Sequence, residues 1–294
     1  MSTPAPRSVP ERFVLTLSCP DRTGIVAAVT GFLAAHHANL VDAAHFNDEH
    51  TQRSFVRAVF HDDGGGMPAR AALMELFTPV AERFQMEWSL HAESDRLRTV
   101  IAVSKASHCL TGLLHRWSIG ALPIEVVGVV SNHRALEEHA VFHGVPFFHL
   151  PLETEDAAAQ ELRLLALFRE LQGELLVLAR YMRVLSPTLC EALRGRCINI
   201  HHSFLPGFKG ARPYHQAFAR GVKLIGATAH FVTPDLDEGP IIEQAVERVD
   251  HTFDPPRLID LGRDLETVVL NRAVKWYAEH RVFQNGNKTV VLHA

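Results

Sequence analysis

The segment CINIHHSFLP, Cys197 to Pro206, sets a carboxamide and two imidazoles where an apolar strand should be ending. Asn199 and His201 are two residues apart, so on an extended strand they share a face, and His202 is expected to point the other way. A buried polar group left without a partner costs about 1–3 kcal/mol. These side chains must therefore satisfy one another or face a cleft. A second set follows in GATAHFVTPDLDEGPIIEQ, Gly226 to Gln244. There a strand ends at Val232, and an acidic loop carries Asp235, Asp237 and Glu238. A carboxylate beside a histidine fixes its tautomer and stabilises its cation. An asparagine amide can donate to a carbonyl oxygen as it becomes an oxyanion. An amide, an imidazole and a carboxylate together suit attack on an acyl or formyl carbon, with no covalent intermediate required.

Residue types alone leave other readings open. The same positions suit an internally satisfied strand end beside a solvated acidic loop. His201, His202 and Asp237 are metal-ligating types, but adjacent histidines on a strand face opposite ways, and there is no His-x-His and no HExxH helix. Ser203 lacks the GxSxG turn of a serine nucleophile.

Two kinds of element pattern must position these groups. From Phe13 to Ala92 the order reads βαββαβ, a ferredoxin-like split βαβ unit. Its first helix carries Ile25, Val29, Phe32 and Leu33 at helical spacing. Glu93 to Arg98 is a charged break. Beyond it, continuous apolar strands alternate with helices: TVIAVS, IEVVGVVS, PFFHLPL, ELLVLA and CINI. Strands without polar alternation, separated by helices, indicate a parallel sheet covered on both faces. Ligands of such sheets bind at the carboxyl ends of the strands, where Asn199 and His201 fall. Ser186 followed by Pro187 is expected to cap and open a helix. There is no GxGxxG and no GxxxxGK[ST], so a dinucleotide or P-loop reading is rejected. The expected organisation is a disordered tail over 1–10, a regulatory unit over 11–92, a linker over 93–98 and a catalytic domain over 99–294.

Bulk composition agrees with an α/β protein. The 294 residues suggest about two domains. Hydrophobic residues make up 47% and charged residues 21%, enough apolar material for real cores. With a net charge of −4, a general nucleic-acid footprint is not expected. The four cysteines, Cys19, Cys109, Cys190 and Cys197, form no zinc spacing and are expected as reduced buried thiols in a cytoplasmic protein. No apolar run has the length of a membrane span, and the polar start MSTPAPRSVPER has no signal-peptide core.

The stretch NIHHSFLPGFKGARPYHQAFARGVKLIGATAHFVTPDLDEGPII resembles the formyl-transferase family of folate enzymes, whose pattern is Asn-Ile-His, then Ser-x-Leu-Pro, then an Asp-x-Gly loop. The doubled NIHHSFLP, GARPYHQA, LARYMRVL and HCLTGLLHRW, behind CPDRTGIVA, are most similar to the formyltetrahydrofolate deformylases with an N-terminal ACT-type domain. The resemblance covers nearly the whole chain from about Arg12. It implies a ferredoxin-like ACT-type domain followed by a Rossmann-like, mostly parallel-sheet formyl-transferase domain. It implies hydrolysis of 10-formyltetrahydrofolate, with Asn199 holding the oxyanion, His201 moving protons and Asp237 orienting His201 and water. Met182, Arg183, Val184 and Leu185 would read the pterin ring, with Val232 and Asp235 closing its other side. The resemblance implies no metal, no covalently bound cofactor and a homo-oligomer. An amino-acid effector would sit at Asp21, Arg22, Thr23 and Gly24. Arg212 and Tyr214 would lie near the site. The alternative is a formyltransferase to an amine such as glycinamide ribonucleotide. Against it stands the loop VSKASHC, where Lys105 and His108 replace the Gly-Ser type loop that holds an acceptor's phosphate.

Overall fold

The structure, a computed structural model, describes residues 10–151, 157–207 and 213–293; the tail expected over 1–10 lies outside them except for its last residue. It divides into two compact units. The first comprises the described residues up to Asp95 with Glu279–Asn285 and those from Val290; the second comprises Arg96–Ala278 and Gly286–Thr289.

In the first unit the order is β1 (Arg12–Pro20), α1 (Ile25–Ala35), β2 (Ala38–Asp48), β3 (Arg53–Asp62), α2 (Arg70–Phe84) and β4 (Glu87–Ala92). The antiparallel sheet runs β2-β3-β1-β4. Period-two residues Phe13, Leu15 and Leu17 of β1, with Val56, Ala58 and Phe60 of β3, form one face. Ile25, Val29 and Phe32 of α1, and Leu73 and Phe77 of α2, cover it. β3 is buried on its other face too, because the C-terminal segment returns to it. Phe283 sets its ring edge-on to Phe55, and Arg57 Nε donates to the Glu279 carbonyl. Asn285 Nδ2 donates to Asp48.

The returning segment brings His280, at φ +54°, flat against His91 with ring centroids 3.8 Å apart. Burial pushes the His280 imidazole down to about 4, and the neighbouring His91 and Arg57 push the same way. An unfolded histidine takes its proton near 6.5. The folded value is the lower one, so the unfolded chain binds the extra proton between the two and stability falls as pH drops through that window. Acidification from about pH 7 to pH 5 is expected to cost about 2 kcal/mol through this residue. Denaturant midpoints of the wild type and His280→Asn at both pH values check it, since asparagine tolerates a left-handed backbone. A pH dependence that survives the substitution in full contradicts it.

The second unit contains β5 (Leu97–Val103), α3 (His108–Ser118), β6 (Ile124–Ser131), α4 (Glu137–Phe142), β7 (Phe147–His149), α5 (Ala157–Glu170), β8 (Leu175–Leu178), α6 (Pro187–Ala192) and β9 (Cys197–His201). It continues with α7 (Pro213–Arg220), β10 (Leu224–Phe231), β11 (Ile241–Arg248) and α8 (Pro255–Ala278). Two short strands, β12 (Val282–Asn285) and β13 (Lys288–Val291), pair in a C-terminal hairpin. The seven-stranded sheet runs β11-β10-β9-β8-β5-β6-β7. Strands β5 to β9 are parallel, and β10 and β11 are antiparallel additions at one edge. The chain builds outward from β5 through β6 and β7, then returns to β8 on the opposite side of β5. Strand order reverses there, which opens a crevice at the carboxyl ends of the strands. The Ser186 hydroxyl accepts from Leu189 N and caps α6, as the Ser-Pro pair predicts.

Candidate active site

Asn199 and His201 leave β9 on the same face, at the carboxyl end of the strand. β10 runs antiparallel beside it and sets His230 directly opposite Asn199. The loop after β10 then folds back and presents Asp237. Its Oδ2 lies 3.2 Å from His201 Nδ1, and its Oδ1 lies 3.7 Å from His230 Nε2. Asn199 Nδ2 donates to His230 Nε2 at 3.2 Å, while His230 Nδ1 donates to the Phe231 carbonyl at 2.8 Å. The structure thus brings Asn199, His201 and Asp237 together through His230, a residue that sequence reasoning did not single out. Its signal was weak: a histidine in AHF on an apolar strand reads as core.

The electrostatics follow from these contacts. The His201 hydrogen bond first, and then the neighbouring His230, holds the Asp237 carboxyl well below the usual carboxylate range. An ionised Asp237 accepts, so His201 carries its hydrogen on Nδ1 and keeps a lone pair on Nε2. That Nε2 is buried and has no hydrogen-bond partner among the described residues. Asp237 itself sits at φ +58°, a left-handed conformation uncommon outside glycine. Gly239 makes the tight return possible: a Cβ there would lie 1.7 Å from the Phe231 carbonyl oxygen.

A second buried cluster adjoins the first. Glu266 of α8 is 1% exposed. It accepts from His108 Nε2 at 2.8 Å and from the Tyr214 hydroxyl at 2.9 Å, with Arg180 Nε 3.4 Å away. Gly262, one turn earlier on α8, clears the way for Tyr214, since a Cβ there would meet its hydroxyl at 2.0 Å. Arg180, at φ +64°, also donates from its guanidinium to His202 Nδ1 at 2.7 Å. His202 departs from expectation here. The strand ends at His201, alternation lapses, and His202 lines the same cavity as its neighbour, with ring centroids 4.9 Å apart. His108, Cys109 and Glu266 have ligand atoms within 4.8 Å of one another, a metal-compatible spacing. The Arg180 guanidinium on the same carboxylate already supplies a fixed positive charge there.

Asn199, His201, His202, His230 and Asp237, with His108, Arg180, Tyr214 and Glu266, border one cavity of about 680 Å³, within the size range of small-molecule sites. Met182, Arg183, Val184, Leu185 and Val232 line it. Leu185 is buried in the core, whereas Met182 and Val184 are exposed at the rim. Ser104 accepts from Met182 N and donates to Asn132, which ties this rim to the loops after β5 and β6. Asp235 is exposed and does not line the cavity; Thr233, Pro234 and Leu236 of its loop do. Lys105 is exposed, and Arg212 lies outside the described residues. In the first unit, Asp21 accepts from Ser54, Arg22 donates to Gln85, and Gly24 at φ +97° opens α1 beside the exposed Thr23.

A family profile described as Formyl transferase matches residues 97–274, and one described as ACT domain matches residues 13–76. The chain is 49% identical over 281 residues to a formyltetrahydrofolate deformylase of Corynebacterium sp. (strain P-1), covering 96% of this chain and 98% of that relative. It is similar to the crystal structure of formyltetrahydrofolate deformylase from Burkholderia mallei, with a TM-score of 0.93, 54% identity, and 97% and 100% of the two chains covered. Similarity to glycinamide ribonucleotide transformylase 1 from Symbiobacterium toebii is lower: a TM-score of 0.66, 29% identity, and 70% of this chain and 98% of that one covered.

Proposed function

Since the chain belongs to the formyltetrahydrofolate deformylase family, we propose that Asn199, His201 and Asp237 are the groups with which it hydrolyses 10-formyltetrahydrofolate to formate and tetrahydrofolate. The observation that carries this assignment is the 3.2 Å contact between Asp237 and His201 Nδ1, which leaves a bare, buried Nε2 as the base. His201 Nε2 takes a proton from water as the water oxygen bonds to the formyl carbon. The carbonyl oxygen becomes an oxyanion and accepts from the Asn199 amide. Asp237 stabilises the imidazolium. His201 then gives its proton to the folate nitrogen as the carbon–nitrogen bond breaks, and formate leaves. The cycle drawn uses no metal and no covalently bound group.

The pterin lies against Met182, Arg183, Val184 and Leu185, with Val232 opposite; the backbone of the loop satisfies its ring donors and acceptors. Asp235 shapes this loop through its carbonyl, which accepts from Thr233. An amino-acid effector at Asp21, Arg22, Thr23 and Gly24 is supported by the ACT match over residues 13–76. Association into a homo-oligomer is supported by Leu40, Val41 and Phe46, exposed apolar residues on the edge strand β2. A cytoplasmic location is supported by four buried free thiols. Among the described residues no helix is long and apolar enough to cross a membrane.

Incubation with 10-formyltetrahydrofolate and no amine tests the hydrolytic reading directly. Stoichiometric formate is expected, and turnover only with an added amine would select the transferase alternative. Gly239→Ala forces the loop away from Phe231 and draws Asp237 off His201. A displacement of about 1 Å at such a site costs about 10²-fold, so kcat is expected to fall by that order with a smaller change in KM. Steady-state kinetics check it, and an unchanged kcat would refute the positional role of this glycine.

A further inference from the structure

We propose that His202 is the fixed hydrogen-bond donor that holds the attacking water, and that it selects water over amines as the formyl acceptor. This rests on His201 acting as the base of the hydrolysis above. The inference starts from Arg180, whose guanidinium can only donate. Its contact with His202 Nδ1 at 2.7 Å therefore requires a lone pair on that nitrogen. The neutral His202 ring must then carry its hydrogen on Nε2. Arg180 is itself held against Glu266, which His108 and Tyr214 fix from two other directions. Burial and the Arg180 charge push the His202 imidazole down to about 4, so the ring stays neutral near pH 7.

Two neighbouring imidazoles thus face one cavity in complementary states. His201 offers a bare Nε2, and His202 offers an N–H. Their ring centroids are 4.9 Å apart and tilted by 31°. Two hydrogen bonds of ordinary length meeting at one oxygen at a tetrahedral angle span about 4.6 Å, and in this proposal a single water sits on the cavity side of the two rings, bridging the two Nε2 atoms. It accepts from His202 Nε2 and donates to His201 Nε2.

The chemistry of the nucleophile then decides specificity. A water oxygen has two lone pairs: one accepts from His202 and the other attacks the formyl carbon. A neutral amine has one lone pair. If that pair accepts from His202, none is left to form the carbon–nitrogen bond. The donor therefore serves water and blocks an amine at the same spot. This also gives a role to the second histidine of the doubled motif, which the three proposed catalytic groups do not use.

The test uses the full chain as His202→Leu and His202→Gln. Leucine removes the donor; glutamine restores an N–H at a comparable reach. His202→Leu is expected to lower kcat for formate release by about tenfold or more, with KM changed by less than about threefold. With hydroxylamine present, its ratio of formylated hydroxylamine to formate should rise about tenfold over wild type, after subtraction of the uncatalysed reaction. His202→Gln should return both values most of the way. Nitrogen-15 NMR of the wild-type histidines should show a protonated Nε2 and a bare Nδ1 on His202 between about pH 5 and pH 8. If His202→Leu does not fold, the glutamine variant and the NMR signature carry the test. An Nδ1-protonated His202, or an unchanged kcat and product ratio in His202→Leu, overturns the inference. Wild-type formate release without amine would still stand in that case, whereas its absence would sink the hydrolytic reading itself.

Discussion

Asp237→Asn is expected to cut kcat by about 10⁴-fold, the scale seen when a triad carboxylate becomes an amide. The substitution keeps the shape of the side chain and removes two properties. It abolishes the charge that stabilises the His201 imidazolium. It also lets an amide N–H face His201 Nδ1, which favours the tautomer with the hydrogen on Nε2 and destroys the base. The carboxylate is strongly committed to its ionised form by His201, which donates to it, and by the neighbouring His230. Its folded value is depressed, so its contribution to stability is present above the ordinary carboxylate range and is lost as pH falls through the folded value. Rates at neutral pH therefore report geometry and charge, with no change in the ionisation of Asp237 itself. Single-turnover formate release, with circular dichroism to establish folding, is the measurement. A loss under about tenfold would remove Asp237 from the mechanism.

Asn199→Ala is the second large effect, a loss of about 10²–10³ in kcat, typical for one oxyanion donor. KM should change little, because the amide binds the tetrahedral oxygen more strongly than the ground-state carbonyl. Asn199 also holds His230, so a purely structural role would show as lost substrate affinity and a lower melting temperature. Asn199→Asp separates the two. It can still engage His230 but sets a negative charge where the oxyanion forms. Its kcat should fall below that of the alanine variant. An aspartate variant more active than Asn199→Ala would show that the residue acts through His230 alone.

The architecture was largely legible before any coordinates. Continuous apolar strands divided by helices announce a parallel sheet, and a polar pair at the end of CINIH announces a site at its carboxyl edge. What stayed hidden has physical causes. His230 faces Asn199 only because β10 pairs antiparallel with β9, a register no local pattern encodes. Glu266 lies on a helix whose period marks buried positions, yet a buried glutamate makes sense only once His108, Tyr214 and Arg180 arrive from three other segments. His202 was expected to turn away because strand alternation was extended one residue past the strand's end. The return of Glu279–Asn285 to β3 left no trace in the local sequence, since its partners lie hundreds of positions earlier.

That return bears on how the protein is made. Asp48 and Asn285 are bonded across 237 positions of chain. Synthesis delivers the N-terminus first, at roughly 5–20 residues per second. The first unit therefore leaves the ribosome well ahead of Glu279–Asn285 and waits, with one side of β3 uncovered around Phe55, until that segment has been made. A sheet made early is thus completed late, and a chain cut short anywhere before residue 279 would leave that greasy face open to chaperones and proteases.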